Sequence, residues 1–158
     1  MITLRFVQHA GLFHRPGLFN RLCEFAQYGF PYTHVEGKDV SGCYIGARLF
    51  GGVQRRDHGY DTGTVLLEQQ INVRTTDEQS EAFYAFLLEQ VGKPYDPIQI
   101  VYFINGRNWQ DPDAWTCSEL IAAGIVAAGI VPQKMADIYG AITVQGLMLM
   151  ISPLAEVD

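Results

Sequence analysis

Apolar Ile2, Leu4 and Phe6 alternate with polar or cationic neighbours, the period of a half-buried strand, so the chain is expected to open on one. Pro16 suits a first helical position, and Leu18, Leu22, Phe25 and Ala26 follow at helical spacing up to Gly29. Pro31 breaks that pattern, and Tyr32-Thr33-His34-Val35-Glu36 reads as extended chain. Beyond a turn-rich patch (Gly37-Lys38-Asp39, then Ser41-Gly42), Cys43 to Phe50 reads as a strand. Gly51-Gly52 makes another turn, Val53-Gln54-Arg55 a short strand, and Thr64 to Val73 a longer one with Val65, Leu67 and Ile71 on one face.

The second half carries the helical period. Thr75 and Glu78 have capping-box spacing, and Ala82, Phe83, Phe86, Leu87 and Val91 form an apolar stripe that stops at Gly92 and Pro94. Pro97 to Ile104 is expected to be a short buried helix. The strongest helical stretch runs from Cys117 to about Ala128, apolar nearly all round, and is expected to be a central core helix ended by Pro132. Thr143 is placed to cap a last short helix through Leu149. The chain is expected to be a single domain over residues 1–158, because no repeat, low-complexity stretch or linker interrupts it. The fold class is α+β, with an antiparallel sheet packed against a central helix.

Composition narrows the partners. Hydrophobic residues at 48% and charged residues at 18% are those of a globular chain able to bury a core. A net charge of −6 argues against a nucleic-acid partner, since phosphate binding draws on Lys/Arg clusters. Arg55-Arg56, followed at once by Asp57, reads as a solvated turn. No apolar run approaches the roughly 20 residues of a membrane span, and the strand-like beginning does not resemble a signal peptide. The expectation is a cytoplasmic protein, or one delivered by a phage or virion.

Cys23, Cys43 and Cys117 are too few and too widely spaced for a disulfide framework or a zinc site, so neither a metal nor a cofactor is expected. Cys23 and Cys43 are expected to be small buried hydrophobes. Cys117 differs. Thr116 and Glu119 stand at N-cap and N3 spacing, which places Cys117 in the first helical turn. Unpaired N–H groups and the positive end of the helix dipole favour a thiolate there and can hold an oxyanion. A buried cysteine at the start of a core helix is the competing reading. Glu119 is assigned to capping alone.

Four histidines compete for the part of base. His9 ends a strand, His14 precedes Pro16 and His58 lies in a charged turn, so each is expected at the surface or in a turn. His34 lies within a strand, and period-2 alternation puts Glu36 on its face. A carboxylate there can orient the imidazole and stabilise its charged form, in the manner of a nucleophile–base–orienter triad. An exposed strand position is the alternative for Glu36.

Gly92-Lys93-Pro94-Tyr95-Asp96, followed some twenty residues later by Thr116-Cys117-Ser118, resembles the Pro-Tyr…Asp-Cys-Ser pattern of NlpC-type papain-like cysteine peptidases. In that family the histidine strand follows the cysteine. Here Tyr32-Thr33-His34-Val35-Glu36 precedes it, an order similar to the circularly permuted branch that includes YiiX-like and lecithin retinol acyltransferase-like proteins. Trp115-Thr116-Cys117-Ser118-Glu119-Leu120 and the Gly51-Gly52-Val53 turn resemble the YiiX-like and phage-associated members more closely. The resemblance spans roughly Gly29 to Ser152 and implies a permuted papain-like fold, with Cys117 as nucleophile and His34 as general base. It also implies an oxyanion or substrate contact at Tyr95 and Ser118, although a half-buried aromatic after Pro94 would account for Tyr95 as well. In many permuted relatives the third polar residue lies on the next strand. Tyr44, Gly46 and Arg48 offer no evident orienter there, which leaves Glu36 or a backbone carbonyl.

The implied activity is a thiol hydrolase cleaving an amide bond of a small peptide or acyl substrate, plausibly a cell-wall peptide. Acyl transfer or thioester and lipid hydrolysis would use the same machinery. A non-catalytic binding module on the same scaffold is the reading from another class. Oligomeric state is not legible.

Overall fold

In the computed structural model, residues 1–10, 21, 27–97, 113–132 and 142–156 are described. Five antiparallel strands form one sheet: β1 Ile2–His9, β2 His34–Lys38, β3 Tyr44–Arg48, β4 Gly52–Arg56 and β5 Val65–Val73. Their order is β4-β3-β2-β1-β5, so β2 to β4 form a meander while β5 crosses to the far side of β1. Three helices among the described residues, α1 Asp77–Glu89, α2 Cys117–Ala127 and α3 Val144–Ile151, complete an α+β architecture. None of the described helices is long and apolar enough to cross a membrane. The helix expected between Pro16 and Gly29 and the one expected over Pro97–Ile104 fall mainly outside the described residues.

The sheet has two unlike faces. Ile2, Leu4 and Phe6 of β1, Val35 of β2, and Ile45 and Ala47 of β3 are fully buried in one apolar core with Phe83 and Leu87 of α1 and Leu120, Ile121 and Ile125 of α2. Full burial of each of the larger of these side chains is worth about 1.5–3 kcal/mol. Two glycines permit the close approach of α1. A Cβ on Gly37 would stand 2.9 Å from Leu87 Cδ1, and one on Gly124 would stand 3.0 Å from the Phe83 ring. The helix α2 therefore lies wedged between α1 and the strands β2 and β3. The opposite face of the sheet carries the charge.

The boundaries follow local chemistry, with some corrections. The α1 cap is one residue later than its spacing suggested: Thr76 accepts from the Gln79 N–H and Gln79 reaches back. The Thr75 hydroxyl instead pairs with that of Ser80 at 2.7 Å, which removes it from capping. The helix α2 ends before Pro132, because Gly129 takes a left-handed φ of 64° just past its C-cap Ala128. Arg55 and Arg56 belong to β4, not to a solvated turn. The apolar face expected on β5 is buried only at Val73, and Leu67 is exposed, because that strand forms the sheet's edge.

Candidate active site

Thr116 is the N-cap of α2, with both halves of its capping box made. Its hydroxyl accepts from the Glu119 N–H at 3.4 Å, and the Glu119 carboxylate accepts from the Thr116 N–H at 3.1 Å. Cys117 is thereby the first residue of the helix, only 5% exposed. A chain of backbone contacts fixes this helix start. Gly52, at a φ of 64°, brings β4 against the segment before Tyr95, where a Cβ would collide with the Lys93 carbonyl oxygen. Val53 N–H then donates to Lys93 O and Gly92 N–H to Val53 O, each at 2.9 Å. Pro94 O accepts from Trp115 N–H, and Asp96 N–H donates to Trp115 O, which bridges Tyr95 to Trp115 in parallel. The Gly-Gly turn and the Gly-Lys-Pro-Tyr motif thus act together on the residue before the cap. Removing the cap by Thr116→Ala is expected to cost about 1 kcal/mol in a denaturant titration and to slow alkylation of Cys117. Wild-type values for both would show that the cap does not hold the thiol.

Tyr95 is half-buried beside Trp115. Ser118 is 2% exposed, and its hydroxyl donates to Ile142 O at 2.6 Å, tying α2 to the start of α3. Its side chain is thus spent on structure, and its backbone N–H is what a substrate could use.

The other half of the site lies on β2. His34 is 8% exposed and Glu36 fully buried, which removes the exposed-strand alternative for Glu36. His34 Nε2–H donates to Glu36 Oε1 at 3.0 Å. That bond fixes the tautomer and leaves Nδ1 with its lone pair as the acceptor. Burial lowers the His34 pKa, outweighing the carboxylate beside it, and Arg48 and Arg56 lower it further, so the ring rests neutral. Burial alone would raise Glu36. The His34 bond, the Tyr60 hydroxyl at 2.5 Å and the surrounding cations win, holding its pKa at about 2.

Gly46 explains why β3 supplies no orienter. A Cβ there would stand 2.9 Å from Glu36 Cγ, so the missing side chain leaves the space that Glu36 occupies. The carboxylate that accepts from His34 comes from the histidine's own strand.

Around this pair lies a buried ionic network. Across the β1–β2 pairing Arg5 faces Glu36, and its guanidinium reaches Glu36 at 3.3 Å, both Asp61 oxygens at 2.9 and 3.1 Å, and Glu68 at 2.8 Å. His9, expected at the surface or in a turn, is instead part of it. Its Nε2 lies 2.8 Å from Asp61 Oδ2, Arg48 Nη2 lies 2.5 Å from that Nε2 and 3.1 Å from Nδ1, and its ring lies 5.9 Å from that of His34. Burial first, then the repulsion that a protonated ring would meet from a protonated His34 and from Arg48, brings its pKa down to about 4. His58 is exposed, with Nδ1 3.3 Å from the Tyr44 hydroxyl, while His14 lies outside the described residues. Cys43 is half-buried just before β3, 3.8 Å from Asp57, and so is less buried than expected; Cys23 lies outside the described residues.

The helix that begins at Cys117 packs on the strand that begins at His34, from the apolar side, while His34 and Glu36 project on the charged side. Among the described residues no group of three His, Cys, Asp or Glu side chains is arranged to hold a metal ion. No protein-family model matches the chain, and no curated protein matches it.

Proposed function

We propose that this chain is a thiol hydrolase of permuted papain-like fold, with Cys117 as nucleophile, His34 as general base and Glu36 as its orienter. The observation that carries the reading is the buried His34–Glu36 hydrogen bond, on the strand against which the capped Cys117 helix packs. A neutral imidazole whose Nε2–H is committed to a carboxylate offers Nδ1 as proton acceptor.

In this mechanism Cys117 Sγ bonds to an amide carbonyl carbon and its proton passes to His34 Nδ1. The oxyanion gathers donors from the first turn of α2, the N–H groups of Cys117 and Ser118, with the Tyr95 hydroxyl as a further candidate. His34 then protonates the leaving amine as the C–N bond breaks. Water attacks the thioester, gives its proton to His34, and releases the acid and the thiol. An amine or alcohol in place of water would make the same site an acyltransferase. The substrate class is a small peptide or acyl amide, cell-wall peptides included.

The test is site-resolved alkylation with iodoacetamide at neutral pH, read by peptide mass spectrometry. Cys117 is expected to react about tenfold or more faster than Cys23 and Cys43, and to lose that lead in His34→Ala. Three thiols reacting alike would leave a binding module in place of the enzyme.

A further inference from the structure

We propose that Arg48 and Arg56 form an anion subsite beside His34 that receives the carboxylate of an acidic peptide substrate, an assignment of substrate class that rests on the hydrolase reading above. The starting point is how charge is shared on the polar face of the sheet. Arg5 alone engages three carboxylates, those of Asp61, Glu68 and Glu36. Arg48 and Arg56 project from the same face, and among the described residues neither has a carboxylate oxygen within hydrogen-bond distance. Arg48 donates to the neutral ring of His9. Arg56 Nη1 donates to Gly46 O at 3.2 Å and stands 3.9 Å from Glu36 Oε1, while its Nη2 is buried with no acceptor. Its side chain is only 10% exposed.

Both guanidiniums nevertheless converge on one ring. Arg48 lies 5.0 Å and Arg56 5.5 Å from the centre of Tyr60, whose hydroxyl is already bound to Glu36. Two like charges gathered in a partly dehydrated place repel one another, and an orphaned guanidinium N–H adds a further desolvation cost. An anion beside both would offset the repulsion, and a carboxylate fits the planar fork of Arg48 in two-point fashion. Location gives the subsite its meaning. Arg48 touches His9, and His9 lies against His34, so a carboxylate held there is one side chain away from the general base. With a net charge of −6 on the chain, a small acidic peptide is favoured over a polyanion.

The experiment uses protein labelled with 15N at histidine, titrated with N-acetylglutamate while the imidazole resonances are followed by long-range 1H–15N NMR. N-acetylglutamine amide and inorganic phosphate serve as comparison ligands. The His9 and His34 rings are expected to shift saturably with N-acetylglutamate and not with the neutral amide. Arg48→Gln is expected to weaken that binding about tenfold, with Arg48→Lys in between. Absence of saturable shifts, equal shifts in Arg48→Gln, or a response to phosphate alone would overturn the assignment. Because the readout needs no turnover, saturable binding in a protein whose Cys117 proves inert would retain the subsite and discard the hydrolase. A fast-reacting Cys117 with no carboxylate response would do the reverse.

Discussion

His34→Ala is expected to slow acylation of Cys117 by about a hundred- to ten-thousandfold, the range in which a positioned general base contributes. The loss arises because Nδ1 is the acceptor that the Glu36 bond leaves available, and the thiol proton has no comparable place to go. Glu36→Gln should slow the step less. An amide oxygen can still accept from Nε2 and keep the tautomer, but it withdraws the negative charge that stabilises the imidazolium formed as the proton transfers. The double variant should be no slower than His34→Ala, since an orienter has nothing left to orient. Burst kinetics with a p-nitrophenyl ester measures acylation directly, and KM should change little in Glu36→Gln because the lost interaction grows only as charge develops. A His34→Ala protein that acylates within a few-fold of the parent would remove His34 from the mechanism.

What could be read from the sequence divides along the range of the interactions. The α2 cap depends on Thr116 and Glu119, three residues apart, and the His34–Glu36 pair depends on two positions of one strand. Both are local, and both appear in the structure where their spacing placed them. The one-residue displacement of the α1 cap is also a local matter. Thr75 and Thr76 are both capable caps, and the choice fell to the residue whose N3 partner, Gln79, can reach back. The rest of the site was hidden because strand order decides it. Arg5 looked like the solvent-facing partner in an alternating strand. It is buried because β1 is an interior strand, between β2 and β5, with Asp61 and Glu68 brought over it from far along the chain. His9 is drawn into the network for the same reason. Tyr60 and Asp61 carried no motif, and only the register of β1 with β2 shows why they are needed. Gly46 held a usable signal: a glycine where an orienter was sought, on a strand paired with one bearing a carboxylate.

Arg5→Met is expected to destabilise the protein by about 3–5 kcal/mol at neutral pH, the usual cost of removing one partner from a buried ion pair. Methionine keeps much of the side chain's length and apolar contact, so the loss reports on charge more than on packing. The guanidinium is 4% exposed, and the carboxylates it serves include Glu36 at 0% and Asp61 at 4%. Without it both must either stay ionised in a dehydrated place or take up a proton. The pH dependence gives the sign. Glu36 titrates at about 2 in the fold against an ordinary 4.5, and its contribution is present above 4.5 and lost as pH falls toward 2. That difference corresponds to roughly 3 kcal/mol. In Arg5→Met it is the folded Asp61 carboxyl, held below its ordinary 3.8 by the Arg5 hydrogen bonds, that should rise, so its contribution shrinks at neutral pH and acid unfolding begins at higher pH. His9, held neutral with a pKa of about 4, must take up a proton to unfold anywhere below 6.5, so in both proteins stability should first decline from that pH downward. Urea titrations at pH 7, 5.5 and 4 would measure all three effects, with the variant's deficit largest at pH 7 and narrowing toward pH 4. An Arg5→Met protein matching the parent at pH 7 would mean that the network on this face of the sheet contributes no net stability, and that its arginines are held there for the site alone.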